Sequence, residues 1–384
     1  MNRSSKPSRR VPTVSAVAAR FVHKFVHNIR GLQYSHLPKP RWRVFSWVSD
    51  IALATVLAGK LRLGKDDVAN WTAKVAAAFH AIAAGLGRRK KVKSTPFDQR
   101  NGKAPFNASG VAQVSPGRFV FIDNHDPSAL FELALDAEGR EVERIARRPM
   151  AGVAEGQLRD PEGLTRVGHD GEIFLIVASS LCVEDGKTSD GLVRVRYTPH
   201  GDLQTEAMHG FRDWLLRHVP SLAAAGQREP DAGGLNIEGL AWDPRTRTLL
   251  FGQRGPADPG STTVIRVPID AGAAPWNTGS LGAPWIVHAR VPGSTAKQGI
   301  RDISYDEQTG DFLILLGRST SSGDEPFQLG TWNGGDDVEL LDVTFHRSMK
   351  PEGVVAFSSG DERRLLIVDD RGGYAVFDYP EAAQ

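Results

Sequence analysis

The chain has one cysteine, Cys182, so no intramolecular disulfide staples it. It also lacks any run of 18 apolar residues. The longest candidates, 51–59 and 75–85, are too short for a membrane-spanning helix. The first ten residues are basic and polar, and 14–19 makes only a weak apolar core, so no secretory signal is expected and a cytoplasmic protein is. There is no Gly-x-Ser-x-Gly elbow, no P-loop and no Cys/His metal cluster, which removes the commonest serine-hydrolase, nucleotide and zinc chemistries. Glu is missing from residues 1–103, which hold 21 Lys and Arg against four acids, whereas 104–384 hold 26 against 41. The formal charge of +2 hides that split. It marks a boundary near residue 103, with an extension at 1–103 and a body at 104–384.

In the extension, Phe21, Val22, Phe25, Val26 and Ile29 recur at helical spacing, with His23, Lys24, His27 and Arg30 mostly on the other face. Stretches 45–63 and 66–86 read as two more helices, followed by a basic cluster at 88–93. This basic, partly helical segment is expected to rest against the acidic body or to dock on an anionic membrane surface. Nucleic acid ranks last, because no recognised binding motif accompanies the charge.

What the body does have is a repeated phrase. Asp160-Pro-Glu-Gly-Leu164, Asn236-Ile-Glu-Gly-Leu240 and Lys350-Pro-Glu-Gly-Val354 each open a strand-like apolar run, and a second run follows after a turn. Two further units begin at 107–114 and 300–305. Third strands are expected at 130–135, 192–197, 264–267, 327–332 and 374–379, and fourth strands at 142–147, 203–208, 285–290 and 338–341. Forty Gly and 23 Pro supply the turns. Short strands in blade-length repeats predict an all-β fold, a β-propeller of five blades, or six if the extension or an insertion hides one. The last unit has three clear strands, and a strand from about 94–107 is expected to complete it. Phe211, Trp214, Leu215, His218, Val219 and Leu222 give the stripe of one helical insertion.

The innermost strand of a propeller blade runs along the central channel, so equivalent positions form a ring. Aligning the units on their acids gives Ser109, Glu162, Glu238, Asp302 and Glu352. Four carboxylates in one channel repel, and burial worsens the repulsion. A divalent cation, Ca²⁺ first, would offset it with Glu162, Glu238, Asp302 and Glu352 as ligands. So would a structural network, each Glu bonded to neighbouring blades and to Arg254, Arg301, Arg318, Lys350 or Arg371, with the Gly after each Glu permitting close strand approach. The ends of the second strands supply a next layer. There Asp123, Arg254, Arg318 and Arg371 are candidates to bind a small polar or anionic ligand, and His125 is the one candidate general base.

The order Phe121-Ile-Asp-Asn-His-Asp126, Asp160-Pro-Glu-Gly-Leu164, Asn236-Ile-Glu-Gly-Leu240, Gln253-Arg-Gly-Pro256, Gly299-Ile-Arg-Asp-Ile303 and Lys350-Pro-Glu-Gly-Val354 resembles the bacterial domain-of-unknown-function family 3616 over about residues 105–380. That family looks like a distant relative of the phytase-esterase-like propellers. The resemblance implies the propeller and, through those relatives, calcium near the channel; it carries no activity. The leading expectation is therefore a monomeric propeller that binds Ca²⁺ and a small ligand, in its enzymatic form a metal-assisted phosphoester or ester hydrolase. The competing expectation is a non-enzymatic interaction scaffold whose channel acids are structural.

Overall fold

A computed structural model describes residues 90–98, 105–153, 157–295, 297–380 and 382. The helices expected at 19–30, 45–63 and 66–86 lie outside the described residues. The described residues all fall within one compact unit, Arg88–Gln384.

Five four-stranded antiparallel sheets follow one another as blades. Blade 1 is Ala108–Ser115, Arg118–Asp123, Ala129–Ala134 and Ala146–Pro149. Blade 2 is Pro161–His169, Glu172–Ser179, Leu192–Tyr197 and Gln204–Ala207. Blade 3 is Asn236–Asp243, Thr248–Gly255, Ser261–Pro268 and Trp285–Arg290. Blade 4 is Gln298–Tyr305, Phe312–Arg318, Gln328–Trp332 and Val338–Leu340. Blade 5 is Pro351–Ser359, Glu362–Asp369 and Gly373–Asp378, completed by Thr95–Pro96. Each inner strand lies against the next, and that of blade 5 returns to that of blade 1, so the ring closes at five. The inner and second strands are buried on both faces, which is why they read as continuous apolar runs rather than alternating ones.

The fourth strand of blade 1 is displaced from the expected 142–147 to Ala146–Pro149. An isolated bridge joins Leu135 to Glu141 and turns the chain early, leaving Val142 exposed. The insertion forms the helix Phe211–His218. Phe211, Trp214 and Leu215 are buried in one cluster with Phe251 and Leu235, so the helix is core packing. Asp190 caps its start by accepting the N–H of Gly210 and, at 2.9 Å, of Arg212.

Ring closure depends on the segment before residue 105. Thr95 pairs with Tyr374, and Phe97 stacks between Phe121 and Tyr374 at 5.1 and 5.4 Å. Lys90–Val92 adds a parallel pair with Val343–Phe345. Shortening Phe97 to Leu is expected to lower stability by about 1 kcal/mol, because one buried apolar side chain replaces another of different shape. A urea melt checks it; an unchanged midpoint would mean that this segment does not hold the ring closed.

Candidate functional site

The Glu-Gly phrase has a structural cause. Every inner strand carries a β-bulge at the same place: the pairing with the second strand skips one residue, and the skipped residues are Gly110, Glu162, Glu238, Arg301 and Glu352. A bulge re-aims the extra residue, and the following Gly brings the blades together. A Cβ on Gly163 would stand 2.6 Å from Leu240 Cβ, and one on Gly353 would stand 3.1 Å from the Gly110 backbone. The close-approach role expected for these glycines is therefore present.

The bulge also corrects the ring. In blade 4 the bulged residue is Arg301, not Asp302, and in blade 1 it is Gly110, not Ser109. The ring thus has three acids, one glycine and a built-in cation. Arg301 lies between two of the acids: Nη1 is 2.8 Å from Glu238 Oε2, Nε donates to Glu352 Oε2 at 2.6 Å, and Nη2 pairs with Glu352 Oε1. Arg254 Nη1 donates to the other Glu238 oxygen at 2.5 Å. All three ring members of this network are at least 97% buried. Asp302 turns away from them. Its carboxylate accepts the backbone N–H of Ile303 and Val354, both at 2.8 Å, and that of Leu240, which clips blades 3, 4 and 5 together.

The charge states follow from burial. Removal from water, reinforced by Asp160, Glu238 and Glu352, holds the Glu162 carboxyl well above its usual range. Burial pushes Glu352 up to about 7 against the pull of Arg301. Burial raises Asp160 as well. For Arg301, burial works against the charge, and Glu238 and Glu352 more than reverse it.

Above this floor, at the end where the inner strands begin, opens a cleft of ≈ 440 Å³. Asp160, Asn236 and Lys350, each two residues before a bulged Glu, line its wall with Asn124, Glu184, Asp231 and Arg254. Asn124 Nδ2 donates to Glu162 Oε1 at 3.0 Å and to Asp160 Oδ1 at 3.3 Å, while Ser109 Oγ donates to Glu162 Oε2 at 2.7 Å. Asp160 holds a left-handed backbone, φ 53°, an uncommon conformation that places its side chain on the rim. A second cavity of ≈ 420 Å³ opens at the other end of the channel, but its one acid, Glu307, is already paired with Arg166 at 2.7 Å.

The remaining candidates of the second-strand ends lie elsewhere. Asp123 Oδ1 accepts the N–H of Asn107 and His125, a turn repeated in blade 5 by Asp369 with Lys350 and Arg371. The His125 side chain is 59% exposed and reaches the Pro105 carbonyl at 3.2 Å, outside the cleft lining. Arg318 Nη1 donates to the Gly323 carbonyl and Arg371 Nη1 to the Ser348 carbonyl, so with Arg254 they do not converge as an anion clamp. Glu162, Glu238 and Glu352 do gather; Asp302 does not join them. Residue type alone does not single out Asp160, Asn236 or Glu184. Asp160 and Asn236 are legible only as positions, two before each Glu of the repeat.

The donor set does not fit the expected calcium ion. Ca²⁺ takes about six to eight oxygens at about 2.3–2.6 Å, whereas Glu238 and Glu352 are spent on guanidinium groups and Asp302 on backbone amides. Among the described residues no group of three or more His, Cys, Asp or Glu is placed to hold a metal ion. Among the same residues no helix is long and apolar enough to cross a membrane.

No protein-family model matches the chain, and no curated protein matches it. Among solved structures the chain is similar to a thermostable family-43 glycoside hydrolase, at 10% identity over 76% of this chain and 96% of that one, TM-score 0.43. It is also similar to an N-acetylgalactosamine deacetylase from F. plautii in complex with blood group B trisaccharide, at 11% identity, 76% and 96% coverage and TM-score 0.40. A third likeness is to a catalytically inactive virginiamycin B lyase from Staphylococcus aureus with quinupristin, at 12% identity, 74% and 84% coverage and TM-score 0.33. These likenesses carry no residue role to this chain.

Proposed function

We propose that the cleft binds a small polar molecule and that Glu162 donates a proton to it, as the general acid in cleavage of a polar C–O bond such as that of an ester or lactone. The observation that carries this reading is the Glu162–Asp160 pair: a buried carboxyl held well above its usual pKa range beside a rim carboxyl, with both oriented by one amide, that of Asn124. Glu162 Oε–H protonates the leaving oxygen while water adds to the carbon and Asp160 accepts its proton. The Glu238–Arg301–Glu352 floor fixes the position of Glu162 by closing the channel beneath it; these two acids are structural.

Glu162→Gln separates chemistry from stability. An amide reproduces the shape of the protonated acid but cannot donate that proton, so turnover of esters and lactones is expected to fall by about 100-fold or more. Stability is expected to move the other way. A carboxyl with a raised folded pKa stabilises fully below its unfolded pKa, and that contribution fades as pH rises through the folded value. Gln removes this titration, so the variant's Tm is expected to match wild type near pH 4, below the ordinary Glu pKa, and to exceed it at pH 8. Activity assays and melts at both pH values check it. A variant that turns over ester and lactone substrates like wild type sinks the acid role.

A further inference from the structure

The cleft that forms the proposed site presents more acceptors than uncommitted donors among the described residues. Two asparagines set this. Asn236 is 96% buried, and its Nδ2 is committed to Glu238 Oε1 at 3.3 Å. An amide that gives its NH₂ to a carboxylate must turn its carbonyl the other way, and Asn236 Oδ1, of a residue in the cleft wall, is buried with no hydrogen-bond partner among the described residues. Asn124 repeats the arrangement. Its NH₂ is spent on Asp160 and Glu162, and its Oδ1 is likewise buried without a partner among the described residues. A buried acceptor left unpaired costs about 1–3 kcal/mol, so two of them at one cleft point to a ligand that supplies donors. The carboxylates agree: Asp160, Glu184 and Asp231 stand around the same space, Glu184 shared with Arg159 at 3.1 Å and Asp231 accepting from Ser321. The cations that line it among the described residues are already engaged, Arg254 and Arg301 by Glu238 and Glu352, and Lys350 by Asp370.

We infer that the cleft selects a small organic cation, a primary ammonium compound, whose N–H groups meet Asn236 Oδ1, Asn124 Oδ1 and the Asp160 carboxylate. This rests on the reading of the cleft as a small-molecule site and narrows its ligand to one chemical class. A bare metal ion is a poorer occupant, because the acceptors are spread around a cleft of ≈ 440 Å³ rather than converging on a point.

The test compares matched probes on the full chain by saturation-transfer NMR and thermal shift. The amines ethanolamine, 1,4-diaminobutane and glucosamine are set against their neutral and anionic counterparts: ethylene glycol, 1,4-butanediol and glucose, then glycolate, succinate and gluconate. Calcium chloride is a separate arm. At least one amine is expected to bind at least tenfold more tightly than its neutral and anionic counterparts. Asn236→Leu is expected to erase that preference. Glu184→Gln, at a side chain 60% exposed and therefore tolerant of change, is expected to weaken amine binding severalfold. Neutral or anionic probes binding as well as amines would overturn the cation preference while leaving the cleft as a ligand site. Calcium alone binding, or an amine preference untouched by both variants, overturns the inference. If no organic probe binds and Glu162→Gln turns over esters normally, both this inference and the reading beneath it fall.

Discussion

Replacing Arg301 by Met is expected to lower stability by about 3–5 kcal/mol, the range for removing one partner of a buried ion pair. The substitution fills much of the same volume, so the loss reports charge rather than packing. Without the guanidinium, Glu238 keeps Arg254 and the Asn236 amide, and Glu352 keeps Lys350 at 3.7 Å. Both acids are at least 98% buried. Glu352, already raised to about 7 by burial, loses the opposing pull of Arg301 and rises further, so stability is retained at low pH and lost as pH rises, which gives the prediction its signature. The deficit against wild type is therefore expected to be smaller at pH 5 than at pH 8. The triple change Glu238→Gln, Arg301→Met, Glu352→Gln is expected to recover most of the loss, since a buried ionic cluster replaced as a whole is often neutral. Urea melts at the two pH values decide it. A deficit below about 1 kcal/mol at both would mean that the ring is not held by its arginine.

Asp302→Ala is expected to cost a comparable amount, about 3–5 kcal/mol, through a different route. Asp302 is 99% buried and is the acceptor for three backbone N–H groups, of Ile303 in its own strand, Val354 in blade 5 and Leu240 in blade 3. Ala leaves those donors in a dry interior, each worth about 1–3 kcal/mol. Asp302→Asn keeps one carbonyl oxygen and is expected to lose about half as much. Amide hydrogen exchange gives the residue-level check: Val354 and Leu240 are expected to lose protection before the rest of their strands. Equal behaviour of the Ala and Asn variants, or unchanged exchange at Val354, would show that the clip contributes nothing. Neither substitution is expected to create or remove a metal requirement, because both residues are internally satisfied.

These two neighbours show where reading the chain succeeds and where it stops. The phrase Gly299-Ile-Arg-Asp-Ile303 contains one acid, and matching acid to acid puts Asp302 in register with Glu162, Glu238 and Glu352. Matching the apolar frame instead, Ile303 with Leu164, Leu240 and Val354, puts Arg301 there, and the bulge follows the apolar frame. Side chains alternate along a strand, so a slip of one residue exchanges a channel residue for one buried between blades. The apolar frame is the stronger guide because burying it sets the register. A charge joins whatever surroundings the register gives it.

Strand periodicity, the repeated phrase and the spacing of turns determined the five-unit propeller, the closing strand near residue 95 and the buried insertion helix. Local propensity suffices for these, because each blade is an antiparallel meander whose strands are neighbours in sequence. Only the tertiary structure decided that Arg301 neutralises the ring and that Asp302 clips three blades. Those outcomes depend on contacts between blades, where residues 50 or more positions apart meet, and no run of residues within one blade encodes what the next blade will present.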